Sequence, residues 1–297
     1  MSDQPARYVY PTVWNALRSF RVVGAGTPAV VKDKARIVLE HNPGSKHAAI
    51  VFDAYRCSST LLAAFAAGLR AAVVQEKGIA NRGVSVADAQ VVADTLGGHL
   101  ILGGELHGKP VPGGRVGNSP AEACRQPGLE SSVLHFQSTN FGRVFVDVVD
   151  VVRAGEADTD IFVMSFANVL ITAEVLRTAK YDRILLVCGG FYGGLAFEDM
   201  ALGGKLISEL AFDPSDLDDE ASTMLACHLL TQADPSILRR TWTARVLTAI
   251  SKADDVLDIL NVSRFPSSLQ ARLERTVITA NFISSHPVLV GRYIDTH

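Results

Sequence analysis

Apolar residues in this chain fall in short runs that end on polar or glycine-bearing turns. Residues 48–52 read AAIVF and stop at Asp53, and the Ala/Leu-rich stretch 59–68 that follows has helical character. The pattern predicts a buried strand, a polar turn and a helix. AAVVQ at 71–75, a helical stretch over 84–96 and LILGGE at 100–105 continue the alternation. SSVLHF at 131–136 is a further strand ending near Ser138, Thr139 and Asn140, and the valine-rich stretch 143–152 fits a helix. DIFVMSF at 160–166 and RILLVCGG at 183–190 add two central strands, with a helix over 168–179 between them. From Asp216 onward the sequence is mainly helical. Asp216 or Asp218 is placed to cap a helix over 221–230, and further helices are predicted over 235–249 and 252–260. The last stretch, VITANFISSHPVLVGRYIDTH, carries enough alternation to add a strand or an interface.

These elements predict an α/β fold: a layered, largely parallel or mixed sheet with flanking helices and a helical C-terminal region. The chain divides into an N-terminal segment 1–44, an α/β catalytic-like region 45–210 and a helical region 211–297 that can pack into the same compact unit. The Gly/Pro-rich segment 103–120, GGELHGKPVPGGRVGNSP, interrupts the pattern and is long for an idle connection.

Composition narrows the function. Across 297 residues, 28 Lys/Arg against 31 Asp/Glu leave a net charge of -3, so no global positive field favours nucleic acid or an anionic membrane. Cys57, Cys124, Cys188 and Cys227 lack the spacing of a zinc site or a redox pair, and read as reduced thiols. With no leader-like start and no apolar run of membrane-spanning length, the expected location is the cytoplasm.

Polar residues and glycines follow several separate strands: Asp53, Arg56, Cys57 and Ser58-Ser59-Thr60; Glu105; Ser138-Thr139-Asn140; and Cys188-Gly-Gly leading to Glu198-Asp199. In an open α/β sheet such turns converge where strand ends and helix N-termini leave backbone groups unpaired, which predicts a site at the carboxyl edge of one sheet. Carboxylates from separate loops suit Mg²⁺, a hard cation that prefers oxygen, so Asp53 and Asp199, with Glu198 and Glu105 behind them, are candidates; a turn at Asp53 and a helix cap at Asp199 are the alternatives. Arg56 can grip an anion through its planar fork, with Ser58, Ser59 and Thr60 completing the cradle, or make a structural ion pair. Asn140 can bind an anion and orient water, or make an Asx-turn. His107 is a candidate general acid or base. Cys57 and Cys188 read as compact packing residues near the site.

Taken together, FDAYRCSST, LGGELHG, GNSP, STN and CGGFYGGLAFEDM resemble the 2-phosphosulfolactate phosphatase family over roughly residues 45–265. The resemblance implies an α/β enzyme that removes phosphate from 2-phospho-3-sulfolactate with Mg²⁺. Carried over position by position, it implies catalytic roles for Asp53, Arg56, Glu105 and Asn140, while His107 remains a catalytic candidate on its own side-chain chemistry. It supports substrate contacts from Asn118, Ser119, Ser138 and Thr139 and metal contacts from Asp53, Glu198 and Asp199, with Ser58, Ser59, Phe141 and Tyr192 as substrate-binding candidates by their own chemistry and place beside these motifs. Within the family's motifs, Leu106 stands in place of an arginine, His107 in place of a glycine, and Phe141 adds bulk after Asn140. Phe191 and Tyr192 add aromatic surface. These departures imply a small anionic phosphorylated metabolite other than, or in addition to, 2-phosphosulfolactate.

The favoured chemistry is metal-assisted phosphomonoester hydrolysis, in which Mg²⁺ and Arg56 stabilise charge and either a carboxylate orients water or Asp53 attacks phosphorus directly. Two alternatives stand beside it: a non-catalytic anion-binding accessory protein, and a different hydrolase or lyase acting on a phosphorylated aromatic or nucleoside-like substrate. The resemblance is also compatible with a homodimer.

Overall fold

The computed structural model describes residues 17–39, 44–78, 80–106, 109–155 and 158–295. His107, a candidate general acid or base, lies outside the described residues.

One ten-stranded sheet runs through the molecule. In chain order its strands are β1 (Val22–Ala25), β2 (Lys46–Phe52), β3 (Ala71–Glu76), β4 (His99–Leu106), β5 (Lys109–Pro110), β6 (Ser132–Ser138), β7 (Asp158–Met164), β8 (Arg183–Cys188), β9 (Thr276–Ile283) and β10 (His286–Tyr293). Their spatial order is β1-β8-β2-β7-β9-β10-β3-β6-β4-β5. The strands read from the sequence are present, and the valine-rich stretch 143–152 lies in a helix, Asn140–Ala154, that buries Val144, Val148 and Val151.

Successive residues on a strand point to opposite faces, and both faces here are covered, which is why the parallel strands read as continuous apolar runs. On β2, Ala49 and Val51 join one core while Ala48, Ile50 and Phe52 join another. On β3, Ala72 and Val74 reach that first core, and Ala71 and Val73 pack outward with Val84, Ala89 and Val92. The helix Cys57–Ala66 lies in the shared core with every residue buried, as expected for a helix apolar on all sides.

The C-terminal region departs from its helical expectation in its last two elements. After helices Asp219–Ala233, Ser236–Arg239, Trp242–Ala249, Ala253–Leu260 and Ser267–Arg275, the chain forms the β9-β10 hairpin. That hairpin enters the middle of the sheet, pairing Phe162 with Thr279 on one side and Leu289 with Ala72 on the other, antiparallel in both cases. Its two-residue loop, Ser284-Ser285, has positive φ at both positions, +48° and +68°. Serine is an uncommon choice for such a turn, where Asn-Gly or Asp-Gly is the usual signal. The helix expected over 235–249 is broken at Thr241, whose hydroxyl accepts the Ala244 N–H and starts a new helix.

The hairpin divides the sheet into two parallel sets, β1, β8, β2, β7 and β3, β6, β4, that run in opposite directions. The site therefore does not sit on one carboxyl edge, as the sequence pattern predicted. Five neighbour steps separate β2 from β6, and at about 20–25° of twist per step the opposed directions become roughly crosswise. The buried helix Cys57–Ala66 closes the remaining gap beneath the hairpin. Its approach is close enough that a Cβ at Gly291 would stand 2.7 Å from the Phe65 ring. Among the described residues no helix is long and apolar enough to cross a membrane.

Candidate active site

β2 ends with Phe52 paired to Met164 and Cys188, and the chain leaves the sheet at Asp53. A tight turn follows. The Ser58 hydroxyl accepts the Asp53 N–H at 3.1 Å and donates to the Asp53 carbonyl at 2.7 Å, while the Ser59 hydroxyl donates to the Ala54 carbonyl at 2.8 Å. Both hydroxyls are thus occupied in fixing the turn. The structure corrects their assignment as a phosphate cradle, because these serines, in the first turn of the helix Cys57–Ala66, spend their hydroxyl protons on the loop that precedes it; Thr60 is likewise fully buried.

That turn aims Arg56 across to the other parallel set. Arg56 Nη1 donates to Glu105 Oε1 at 2.6 Å and Nε donates to the Asn118 carbonyl at 2.9 Å. Nη2 has no hydrogen-bond partner among the described residues. The ion-pair reading of Arg56 is realised, and Nη2 is left with donors that a planar fork can offer to an anion. Glu105 reaches this position because β4 passes directly against β6: at Gly104, φ is +94° and any Cβ would collide with the Gln137 backbone.

Asn118 and Ser119 arrive from the Gly/Pro-rich segment. Asn118 Nδ2 donates to Glu105 Oε1 at 3.2 Å and approaches Cys57 Sγ at 3.3 Å, leaving Oδ1 buried without a partner. Ser138 Oγ lies 3.0 Å from Cys57 Sγ, joining the end of β6 to the helix after β2. Burial pushes the Cys57 thiol well above its usual range, with the Asp53 charge adding, so it stays protonated and packs as the sequence suggested. The Cys188 thiol is raised by burial in the same way. Thr139 and Asn140 begin the helix Asn140–Ala154, half-buried and with no side-chain cap bond.

Phe141 is corrected outright. It is fully buried, stacked on Phe145 with ring centroids 5.9 Å apart, because the helix turns its second residue into the shared core. Tyr192 is the reverse case, 75% exposed.

The β8 loop contributes the third group. Asp199 Oδ1 accepts the Ala54 N–H at 2.7 Å and Oδ2 accepts the Gly190 N–H at 2.9 Å, so this carboxylate braces two loops instead of capping its own helix. Glu198 is buried beside it, faced by the Thr243 and Thr241 hydroxyls, with Oε2 unpartnered. Burial raises the pKa of Asp53, against the pull of Cys57 and Arg56. Burial also raises Glu198 and lifts Asp199 well above the carboxylate range, and the Asp53 charge adds to both.

Burial raises all three carboxylates, and the Asp53 charge adds to Glu198 and Asp199. Among the described residues, however, no group of three or more His, Cys, Asp or Glu side chains stands as a metal-holding cluster. Each Asp199 oxygen already accepts one backbone N–H, whereas Glu198 Oε2 has no partner. Asp53 and the unpartnered Glu198 Oε2 fit a Mg²⁺ that keeps most of its waters and completes its shell with phosphate oxygen, a common mode for this ion.

Sequence reasoning missed Asp255. It comes from the helix Ala253–Leu260, is 2% exposed, and places Oδ2 3.6 Å from Arg56 Nε. Burial pushes it up to about 6, opposed by the Ser119 hydroxyl and Arg56. Its only signal in sequence was an acid in the first turn of a helix, which reads as ordinary dipole compensation. Tyr55, also unmarked, is fully buried and donates to the Leu238 carbonyl at 2.5 Å. Leu238, which accepts that bond, also borders a recess of about 880 Å³ with Phe166, Lys205, His228 and Arg239.

A family model described as 2-phosphosulpholactate phosphatase matches residues 36–267, a span that holds every candidate residue above. A protein of Synechococcus sp. named probable 2-phosphosulfolactate phosphatase is 28% identical over 213 residues, covering 70% of this chain and 80% of that protein. One of the same name from Gloeobacter violaceus is 24% identical over 219 residues, covering 72% and 84%. Another, from Thermotoga maritima, is 26% identical over 180 residues, covering 61% and 69%.

Proposed function

The chain belongs to the 2-phosphosulpholactate phosphatase family, and from that premise we propose that it hydrolyses a small anionic phosphomonoester with the help of Mg²⁺, the ester being other than, or additional to, 2-phosphosulfolactate. The observation that carries this reading is the guanidinium of Arg56, fixed by Glu105 and the Asn118 carbonyl with Nη2 unengaged, on the same turn as Asp53.

In this reading Nη2 binds the phosphoryl oxygens and stabilises the charge that gathers on them during transfer. A carboxylate of this cluster orients the attacking water and takes its proton. The water oxygen forms the new P–O bond, the ester P–O bond breaks in line, and the leaving oxygen departs as an alcohol once it has gained a proton. Bound between Asp53 and Glu198, Mg²⁺ would supply charge neutralisation on the phosphoryl group. Asn140, at the mouth of its helix with a free amide, orients water or phosphate. Leu106, standing where the family motif has an arginine, removes one contact for a second anionic group of the substrate, which supports a substrate beyond 2-phosphosulfolactate.

The test is inorganic phosphate release from a panel of phosphorylated sulfonates, carboxylates, sugars and nucleotides, with Mg²⁺ and with a chelator. Release that needs Mg²⁺ and is lost in Asp53→Asn supports the proposal. Binding of the panel without phosphate release overturns it in favour of an accessory role.

A further inference from the structure

Beside the carboxylates stands a group of three aromatic rings that the hydrolytic chemistry does not use. Phe191 follows Gly190, whose N–H is held by Asp199. Trp242 lies between Thr241 and Thr243, whose hydroxyls face Glu198. Both strands of connection run directly from the carboxylate cluster to the rings. Phe191 stands edge-on to Tyr192 and Trp242, with centroids 4.6 and 5.0 Å away, and Tyr192 and Trp242 are tilted by 33° at 6.2 Å.

These rings are not core. Tyr192 is 75% and Trp242 58% exposed, whereas Phe191 is half-buried beneath them. Their presentation is also built. Phe191 and Gly194 exchange both backbone hydrogen bonds, at 3.1 and 2.9 Å, across a two-residue turn in which Tyr192 and Gly193 have φ of +49° and +79°. Positive φ at both central positions is what a type I′ turn demands, and tyrosine is a poor choice for it. A bulky residue held in a left-handed conformation beside an active site points toward a role for its side chain.

We propose that Phe191, Tyr192 and Trp242 form a stacking platform for a planar aromatic group in the alcohol portion of the phosphomonoester. This rests on the phosphatase reading of the same site and names its substrate class. Asp199 ties the Ala54 N–H, on the turn that carries Asp53 and Arg56, to the Gly190 N–H, next to Phe191, so the rings are exposed apolar surface beside the turn that would hold the phosphate. Stacking on exposed ring faces selects a flat π-system over an aliphatic chain of equal area. A cation cage is disfavoured by the same distances: rings already 4.6 to 6.2 Å from one another enclose no space for an ammonium group, which needs the faces turned toward it.

The decisive measurement uses the full chain and two readouts. Calorimetric titration with 2-phenylethylphosphonate, 2-cyclohexylethylphosphonate and 2-(trimethylammonio)ethylphosphonate reads the platform without turnover. Phosphate release from the corresponding phosphate esters, whose leaving alcohols are all primary and unconjugated, reads the chemistry. The expected result is about tenfold tighter binding of the phenyl compound than of the cyclohexyl one, falling to less than about twofold in Trp242→Ala and in Tyr192→Ala. Both side chains are exposed, and thermal melts verify that the variants fold. Equal affinity for phenyl and cyclohexyl in the native chain, preference for the ammonium compound, or a preference unmoved by both substitutions overturns the platform. A change of mass in solution on Trp242→Ala with the preference intact also overturns it, assigning the rings to contact between copies. A phenyl preference without phosphate release from any ester keeps the platform and removes the phosphatase reading; phosphate release without preference does the reverse.

Discussion

The carboxylate of Asp199 accepts the backbone N–H of Ala54 at 2.7 Å, across 145 positions of sequence. With the Gly190 N–H on its other oxygen, it fixes the loop that carries Asp53 and Arg56 against the loop that carries the aromatic rings. Replacing Asp199 by Asn leaves one acceptor oxygen for two donors and sets an NH₂ against an N–H. The loss expected is about 2–3 kcal/mol, since an orphaned buried donor carries its full desolvation cost. Thermal unfolding of Asp199→Asn should therefore fall by several degrees, with activity falling alongside it; an unchanged midpoint removes the bracing role.

Arg56 is the countercharge for two carboxylates, Glu105 at 2.6 Å and Asp255 at 3.6 Å. Arg56→Ala should cost about 3–5 kcal/mol because it leaves buried charge uncompensated. Adding Glu105→Gln should recover part of that stability and none of the phosphate release. A double variant no more stable than Arg56→Ala alone contradicts the charge argument.

Asp255 sets a pH dependence whose sign follows from its environment. Its folded pKa is raised to about 6 from an ordinary 3.8, so the fold binds the proton more tightly than the unfolded chain does. Its contribution to stability is complete below about pH 4 and is lost as pH rises through 6, on the order of 3 kcal/mol. Asp255→Asn, which mimics the protonated form, should melt like the native chain at pH 4 and above it at pH 8. Parallel melting curves across that range refute the assignment.

Phe141 belongs to the core. Phe141→Ala should cost about 3–5 kcal/mol through the cavity it opens. The ratio of aromatic to aliphatic ester use should stay where it is in the native chain. A changed ratio places Phe141 at the substrate after all.

Mg²⁺ held by Asp53 and Glu198 should raise the unfolding midpoint, by about 2–3 kcal/mol of stability at a hundredfold excess over its Kd. The rise should vanish in the double variant Asp53→Asn/Glu198→Gln and persist in Arg56→Lys. A midpoint indifferent to Mg²⁺ in the native chain speaks against this pair as its holders.

What the sequence determined was local. Apolar runs such as AAIVF and RILLVC are strands because β-rich segments buried on both faces have no polar alternation to show, and Asp218 caps its helix because its carboxylate can reach the Ala221 N–H. The polar turns after β2, β4, β6 and β8 marked the candidate region for the same reason: chemistry at a strand end interrupts an apolar run.

The tertiary structure decided which of those residues meet, and how they are used. Ser58 and Phe141 looked like binding residues by type and position, and only the direction of their side chains shows that one ties its own turn and the other fills the core. Asp255 and Trp242 were not recognisable as site residues because they lie on helices far along the chain from Asp53 and Arg56, and only the fold brings them there, Asp255 to within 3.6 Å of Arg56. The insertion of β9 and β10 between two opposed parallel sets depends on a Ser-Ser turn and on hydrogen bonds to β7 and β3 that no local pattern encodes. A period of two specifies that a strand exists and which face is apolar; the partner it pairs with is set by the whole sheet, and in this protein that pairing is what brings Arg56 to Glu105.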